Sequence, residues 1–218
     1  MCYNKYVIKG KEMIPMYEFF EKEINLIQSE DMRMFAKWYF DEKVPKYFWE
    51  IGASSSGKFH PKFSQGVGGL VRHTKAVVMF AEELLRMSSY AYMKEEYKDY
   101  VILACLVHDT CKYGKVNYDK TEYSAHARNA ADLVYESWVE YYGETPSEFL
   151  RMAIISHMGQ WTENKDERPF TSVDRCVHMA DYMASRSFID IPQIMDEYTE
   201  TADRLSALAE EEIPFNVD

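Results

Sequence analysis

The chain has 218 residues, 47% hydrophobic and 28% charged, which suits an ordinary globular protein with one sizeable core. Its 25 basic and 36 acidic residues leave a net charge of −11. That argues against a long duplex nucleic acid as partner, because Lys and Arg contacts to phosphate dominate such binding. No apolar run approaches the ~20 residues that span a membrane, and Met1–Phe20 is interrupted by Lys5, Lys9, Lys11 and Glu18, so neither a membrane segment nor a signal peptide is expected. The four cysteines, Cys2, Cys105, Cys111 and Cys176, form no C-x-x-C pair and no disulfide framework. A reducing, cytoplasmic setting fits them.

In chain order, residues 15–29 and 31–49 read as two helices, the second carrying Phe35, Trp38, Tyr39 and Phe40. Residues 52–69 are rich in Gly, Ser and Lys and read as a loop. A helix over 70–87 follows, with His73 on the same stripe as Leu70, Val77, Ala81 and Leu84. The segment 99–109 is apolar all round at Val101–Val107, which suits the centre of a bundle, and it ends at His108-Asp109. Ser124 is expected to cap a helix over 124–142 with His126 in its first turn. Thr145-Pro146-Ser147-Glu148 reads as a capping box opening a helix that carries His157 and stops near Gly159. A helix from Thr171 or Ser172 to Phe188 aligns Val177, Asp181, Ala184 and Phe188, and an acidic helix is expected over 193–211. Strand signals are weak, so the expected class is all-α, a bundle of roughly seven to nine helices with no significant sheet. Residues 1–50 are expected as a helical extension packed on the core and 51–218 as the main domain, together one compact unit.

The histidines concentrate at helix ends and inward faces. His73 sits mid-stripe, His108 ends a helix beside Asp109, His126 opens one, His157 closes one, and His178 and Asp181 share a face. Burying so many imidazoles and carboxylates without partners costs several kcal/mol each, roughly, so they require one another or a metal. Neutral imidazole with carboxylate suits first-row transition metals better than Mg²⁺ or Ca²⁺. Taken singly, each histidine is more often a hydrogen-bonded core residue than a ligand. His60 reads as a loop histidine, Cys111 and Met158 as packing residues, and Trp161 as packing rather than a base platform.

Local words around these residues resemble the HD-domain phosphohydrolase superfamily: Gly68-Gly69-Leu70-Val71-Arg72-His73-Thr74, Val107-His108-Asp109-Thr110-Cys111-Lys112, Ile155-Ser156-His157-Met158-Gly159 and His178-Met179-Ala180-Asp181. The resemblance spans about 65–190, and its nearest branch is that of the HD domains of bacterial 3′–5′ exoribonucleases. It implies a helical bundle and two divalent transition-metal ions, Mn, Fe, Ni or Co rather than Mg or Zn. One ion is implied at His73, His108, Asp109 and Asp181, the other at His126 and His157, with Asp109 bridging. The implied activity is that of a phosphohydrolase or phosphodiesterase cleaving a nucleotide or short oligonucleotide by metal-activated hydroxide, with Asp109 and Lys112 catalytic.

For substrate contacts the expectations are Lys112, Arg72 and the loop residues Ser55, Ser56 and Lys58, where serine hydroxyls and amides can form an anion nest. That loop lacks the G-x-x-x-x-G-K-[ST] frame of a P-loop. Lys75 also flanks His73. His178 is expected either to support Asp181 or to be satisfied within its helix. The ligand set equally suits a di-iron oxygenase, and a non-catalytic nucleotide-binding module is the third reading. The oligomeric state is left open.

Overall fold

A computed structural model describes residues 15–54, 60–162 and 164–211, with side chains to 205. Among these residues the fold is all-α, with eight α-helices joined by short 3₁₀ turns and no strand. The helices are α1 (Glu21–Ile24), α2 (Glu30–Glu42), α3 (Gly69–Arg86), α4 (Glu95–Val107), α5 (His126–Tyr142), α6 (Glu148–Ile155), α7 (Ser172–Ala184) and α8 (Pro192–Glu211).

The apolar helix α4 lies at the centre, packed by α3, α6 and α7. Val101, Leu103, Ala104, Cys105, Leu106 and Val107 are all fully buried, as expected for a helix with no polar face. Helix α3 is also enclosed on nearly every side, so His73, Thr74 and even Lys75 are buried. The Lys75 ammonium is satisfied by both carboxylate oxygens of Glu23 at 2.9 and 3.0 Å. Helix α8 closes the outside through Ile194, Tyr198 and Leu205.

Several helix bounds differ from the sequence expectation. The predicted helix over 15–29 is a 3₁₀ turn, Met16–Phe20, followed by the single turn α1. The carbonyls after it, Ile27 O and Gln28 O, are taken by the Arg33 guanidinium. The predicted helix over 31–49 divides at Pro45, because the residue before a proline is pushed out of the α region; 3₁₀ geometry resumes at Lys46–Trp49. Ser124 is not a cap. Residues Lys120–Ala125 form a 3₁₀ turn capped by Asp119, whose Oδ1 accepts from Thr121 N, and α5 starts at His126. Thr145 forms no capping box; Ser147 is the N-cap of α6. Helix α7 begins as predicted, with a reciprocal box between Thr171 and Asp174, but ends at Ala184 and leaves Phe188 exposed.

The N-terminal residues share the core with the rest: Phe20, Phe35, Tyr39 and Phe48 belong to the same buried cluster as α3, α4 and α7. The Asp99 carboxylate on α4 accepts from Gln28 N at 2.7 Å and Ser29 N at 3.0 Å, fixing the entry to α2.

Candidate metal centre

Three histidines are oriented by one local device. His108 Nδ1–H donates to Cys105 O at 2.8 Å, His126 Nδ1–H to Tyr123 O at 2.6 Å, and His157 Nδ1–H to Ile154 O at 2.8 Å. Each acceptor is the carbonyl three residues earlier, and each histidine lies within two residues of a helix terminus: the end of α4, the start of α5 and the end of α6. A carbonyl can only accept, so each neutral ring carries its proton on Nδ1 and presents a bare Nε2 lone pair inward.

Those lone pairs converge on Asp109. Its Oδ1 lies 3.4 Å from His126 Nε2 and 3.7 Å from His157 Nε2, while its Oδ2 lies 3.7 Å from His108 Nε2 and 4.0 Å from His73 Nε2. Asp181 Oδ1 completes the second side at 3.1 Å from His73 Nε2 and 3.8 Å from His108 Nε2. The donor atoms of His73, His108 and Asp181 lie within 4.8 Å of one another, as do those of His108, Asp109 and His157. One carboxylate therefore faces two ligand groups, one oxygen to each.

The donor set fits a pair of cations. His126 Nε2 and His157 Nε2 are 3.1 Å apart with no proton between them, since both rings donate elsewhere. His108 Nε2 and Asp109 Oδ1 are buried without any hydrogen-bond partner. Each buried orphan costs roughly 1–3 kcal/mol, and a cation among these lone pairs satisfies them together.

Ionisation also suits ligation. Burial pushes the His108 and His157 imidazoles down to about 4, and lowers His126 too. Burial by itself would raise the Asp109 carboxyl, yet Lys112 and the surrounding histidines hold it well below the usual carboxylate range. Asp181 is likewise held down, against burial, by its hydrogen bond with His73 and the nearby imidazoles. Neutral imidazoles and ionised carboxylates are the forms that bind metal.

A family profile described as HD domain matches residues 70–186, more than half of the chain and all six of these side chains. The chain belongs to the HD domain family. No curated protein and no solved structure matches it. Members of the family are in general metal-dependent phosphohydrolases that bind divalent metals, which agrees with the cluster just described.

Around these candidate ligands of the HD domain lies a supporting shell. His178 Nδ1–H donates to His157 O at 2.7 Å, so it meets neither expectation: it holds the turn that carries His157 instead of supporting Asp181 or being satisfied within its own helix. The turn is sharp: Gly159 sits at φ +59°, and a Cβ there would lie 2.0 Å from the His178 ring. The turn after α4 carries His108, Asp109 and Lys112. It is anchored by Tyr39 Oη to Thr110 Oγ1 at 3.0 Å, and by Tyr47, whose hydroxyl donates to Gly114 O at 2.5 Å and accepts from Tyr113 N at 3.0 Å. Both tyrosines lie outside the matched stretch.

The remaining predicted contacts divide. Lys112 is buried and ion-paired with Asp109 Oδ2; burial opposes its charge, but the carboxylate raises its pKa. Arg72 does not face an open ligand site. Its guanidinium donates to Phe63 O and Gln65 O and stacks 4.6 Å from the Tyr198 ring, because its position on α3 turns it toward the preceding loop and α8. Lys75 is likewise committed, to Glu23. Ser55, Ser56 and Lys58 lie outside the described residues.

A cavity of about 150 Å³ opens onto the cluster, lined among others by His73, Asp109, Lys112, Tyr182 and Arg186. His60, read from sequence as a loop histidine, lines it too. Its ring lies 5.8 Å from that of His73, its Nδ1 is buried without a partner, and burial lowers its pKa to about 4. No periodicity marks it, because a loop rather than a helix face brings it in. Arg186 donates to Tyr182 O and Ser185 Oγ and rests 4.2 Å from the Tyr182 ring, which holds its charge at the rim.

Proposed function

We propose that the protein is a phosphohydrolase or phosphodiesterase that holds two divalent transition-metal ions and cleaves a small phosphorylated substrate, a nucleotide or short oligonucleotide. The observation that carries this reading is Asp109, with one oxygen toward His126 and His157 and the other toward His73 and His108. His73, His108, Asp109 and Asp181 would hold one ion, and His126 and His157 with Asp109 the other. The nitrogen-rich donor set favours Mn, Fe, Ni or Co over Mg. When bound, such ions lower the pKa of water toward neutrality and neutralise phosphoryl oxygens.

The residues of the chain supply the rest. Lys112 keeps Asp109 ionised and oriented, and sets a positive charge on the wall of a cavity that can admit a phosphoryl group. Arg186 adds a second cation, and His60 a neutral ring able to donate to a phosphoryl oxygen. In hydrolysis the oxygen of water joins phosphorus, the ester P–O bond breaks, and the leaving oxygen takes up a proton. The resemblance of Lys112 and of the Ser156-His157-Met158-Gly159 word to phosphodiesterase HD domains favours phosphoester chemistry over oxygenation. The buried free thiols of Cys105, Cys111 and Cys176 support a reducing, cytoplasmic setting. Among the described residues no helix is long and apolar enough to cross a membrane.

The test is elemental analysis of anaerobically purified protein, followed by a phosphoester and nucleotide screen with the metal found. The expected result is two transition-metal ions per chain and hydrolysis lost in His108→Ala. Absence of turnover across the panel with Mn²⁺, Fe²⁺, Co²⁺ and Ni²⁺ overturns the reading. Substrate-dependent oxygen uptake by iron-loaded protein assigns an oxygenase instead.

A further inference from the structure

The cavity over the candidate metal ligands, about 150 Å³, is below the usual size of a small-molecule site, and a second cavity of about 570 Å³ adjoins it. The two share Tyr123, Met158 and Trp161, and the larger also reaches the ligand His126. Its volume is in the range of small-molecule sites, roughly 300–1,000 Å³. The hydrolytic step needs nothing from it.

Its walls say what it can take. The Tyr123 ring lies against His126 at 5.2 Å with an interplanar angle of 24°, and Trp161 lies against Tyr182 at 5.8 Å and 15°. Both rings stay open to solvent, Tyr123 at 45% and Trp161 at 51%. Large aromatic faces held in place by stacking, yet left uncovered, are suited to planar ligands. Ile155 and Met158 add apolar surface. Among the described residues the charged groups of the lining are Arg128 and Glu167, and these pair with each other at 2.5 Å. Among the described residues no lysine lines this cavity, and its arginine already faces a carboxylate. A chain of further phosphates would find no unmatched cation there among the described residues, whereas an uncharged ring system meets π faces and the Asn164 amide.

We infer that the larger cavity is the subsite for the non-reacting half of the substrate, an uncharged planar group of nucleobase type, and that the protein therefore acts on nucleoside monophosphates in preference to nucleoside triphosphates. This rests on the hydrolase reading for its reaction, though not for its binding. Tyr123 and Trp161 are specificity-determining residues on this account, with Arg128–Glu167 closing the far wall.

Two measurements on the full chain test it. In the first, steady-state kinetics of Mn²⁺-loaded protein compare nucleoside 5′-monophosphates with ribose 5-phosphate and with the matching triphosphates. The monophosphates are expected to show a KM about tenfold below both, the scale of one stacking contact. Trp161→Ala should erase most of that gap through KM, and Trp161→Phe should keep it; thermal melts confirm that both variants fold. In the second, saturation-transfer NMR follows uncharged nucleosides with chelated protein, where base protons should receive saturation and lose it in Trp161→Ala. Equal KM values for nucleotide and ribose phosphate, with no saturation of nucleosides at millimolar concentration, overturn the inference even if phosphoesters are hydrolysed. Nucleoside binding that depends on Trp161, with no phosphoester turned over, sustains the subsite and sinks the hydrolase reading instead.

Discussion

Replacing Tyr47 with Phe removes a single hydroxyl and strands two buried backbone groups. Tyr47 Oη donates to Gly114 O and accepts from Tyr113 N, and both residues are buried. The ring contacts with Tyr113 and Tyr118, at centroid distances of 6.5 and 5.8 Å, survive in Phe. An orphaned buried donor or acceptor costs roughly 1–3 kcal/mol, so the pair comes to roughly 2–6 kcal/mol. For a chain of this size that lowers Tm by about 5–20 °C. Tyr39→Phe provides the comparison. It removes one bond to Thr110 Oγ1, which keeps its own bond to Val107 O, so the loss is about 0.5–1.5 kcal/mol. Urea unfolding of chelated protein, read by tryptophan fluorescence, measures both. Because the same turn carries His108, Asp109 and Lys112, metal content after dialysis should follow the same order: parent, Tyr39→Phe, Tyr47→Phe. A Tyr47→Phe protein as stable as the parent, or more stable than Tyr39→Phe, refutes the claim that this hydroxyl holds the turn.

Asp109→Asn removes the shared carboxylate and leaves Lys112 buried without its ion-pair partner. Metal content should fall close to zero and stability by about 3–5 kcal/mol; elemental analysis showing an undiminished complement would contradict the bridging role. Gly159→Ala places a Cβ against the His178 ring at a φ of +59° and should destabilise by about 2–4 kcal/mol, more than His178→Ala, which loses one hydrogen bond of about 1 kcal/mol. Equal melting temperatures for Gly159→Ala and the parent would show that the turn can relax. In chelated protein, His108 and His157 have folded pKa values near 4, below the ordinary value of 6.5. Their contribution is complete above pH 6.5 and is lost as pH falls through 4, up to roughly 3 kcal/mol each. Unfolding free energies measured from pH 8 to pH 4 should therefore decline, and metal should steepen the decline near pH 4, where protons displace it from the imidazoles; a level profile without metal would falsify the view that these rings are buried neutral.

The helices nearest the ligands were legible because their signals are local. The stripe through Leu70, His73 and Val77 has helical period, and Val101–Val107 is apolar on every face, so α3 and α4 follow from side chains a few residues apart. Thr171 and Asp174 form their box within one turn for the same reason. Where the signal was ambiguous between neighbours, the boundaries moved. Ser124 has the right chemistry for a cap, yet Asp119 starts a 3₁₀ turn that displaces it.

Residue identity and order along the chain determined that this protein is helical, that its core helix carries a His-Asp pair at one end, and which six side chains could serve as ligands. Tertiary structure decided what those side chains face. Arg72 and His60 are both polar residues near His73, but α3 directs Arg72 to the carbonyls of residues 63 and 65, while a loop directs His60 into the cavity. Tyr39 and Tyr47 support the turn that carries His108 and Asp109 from about seventy residues away. No local period records such contacts, because they depend on which surfaces meet once helices pack, and that is set by the whole core at once.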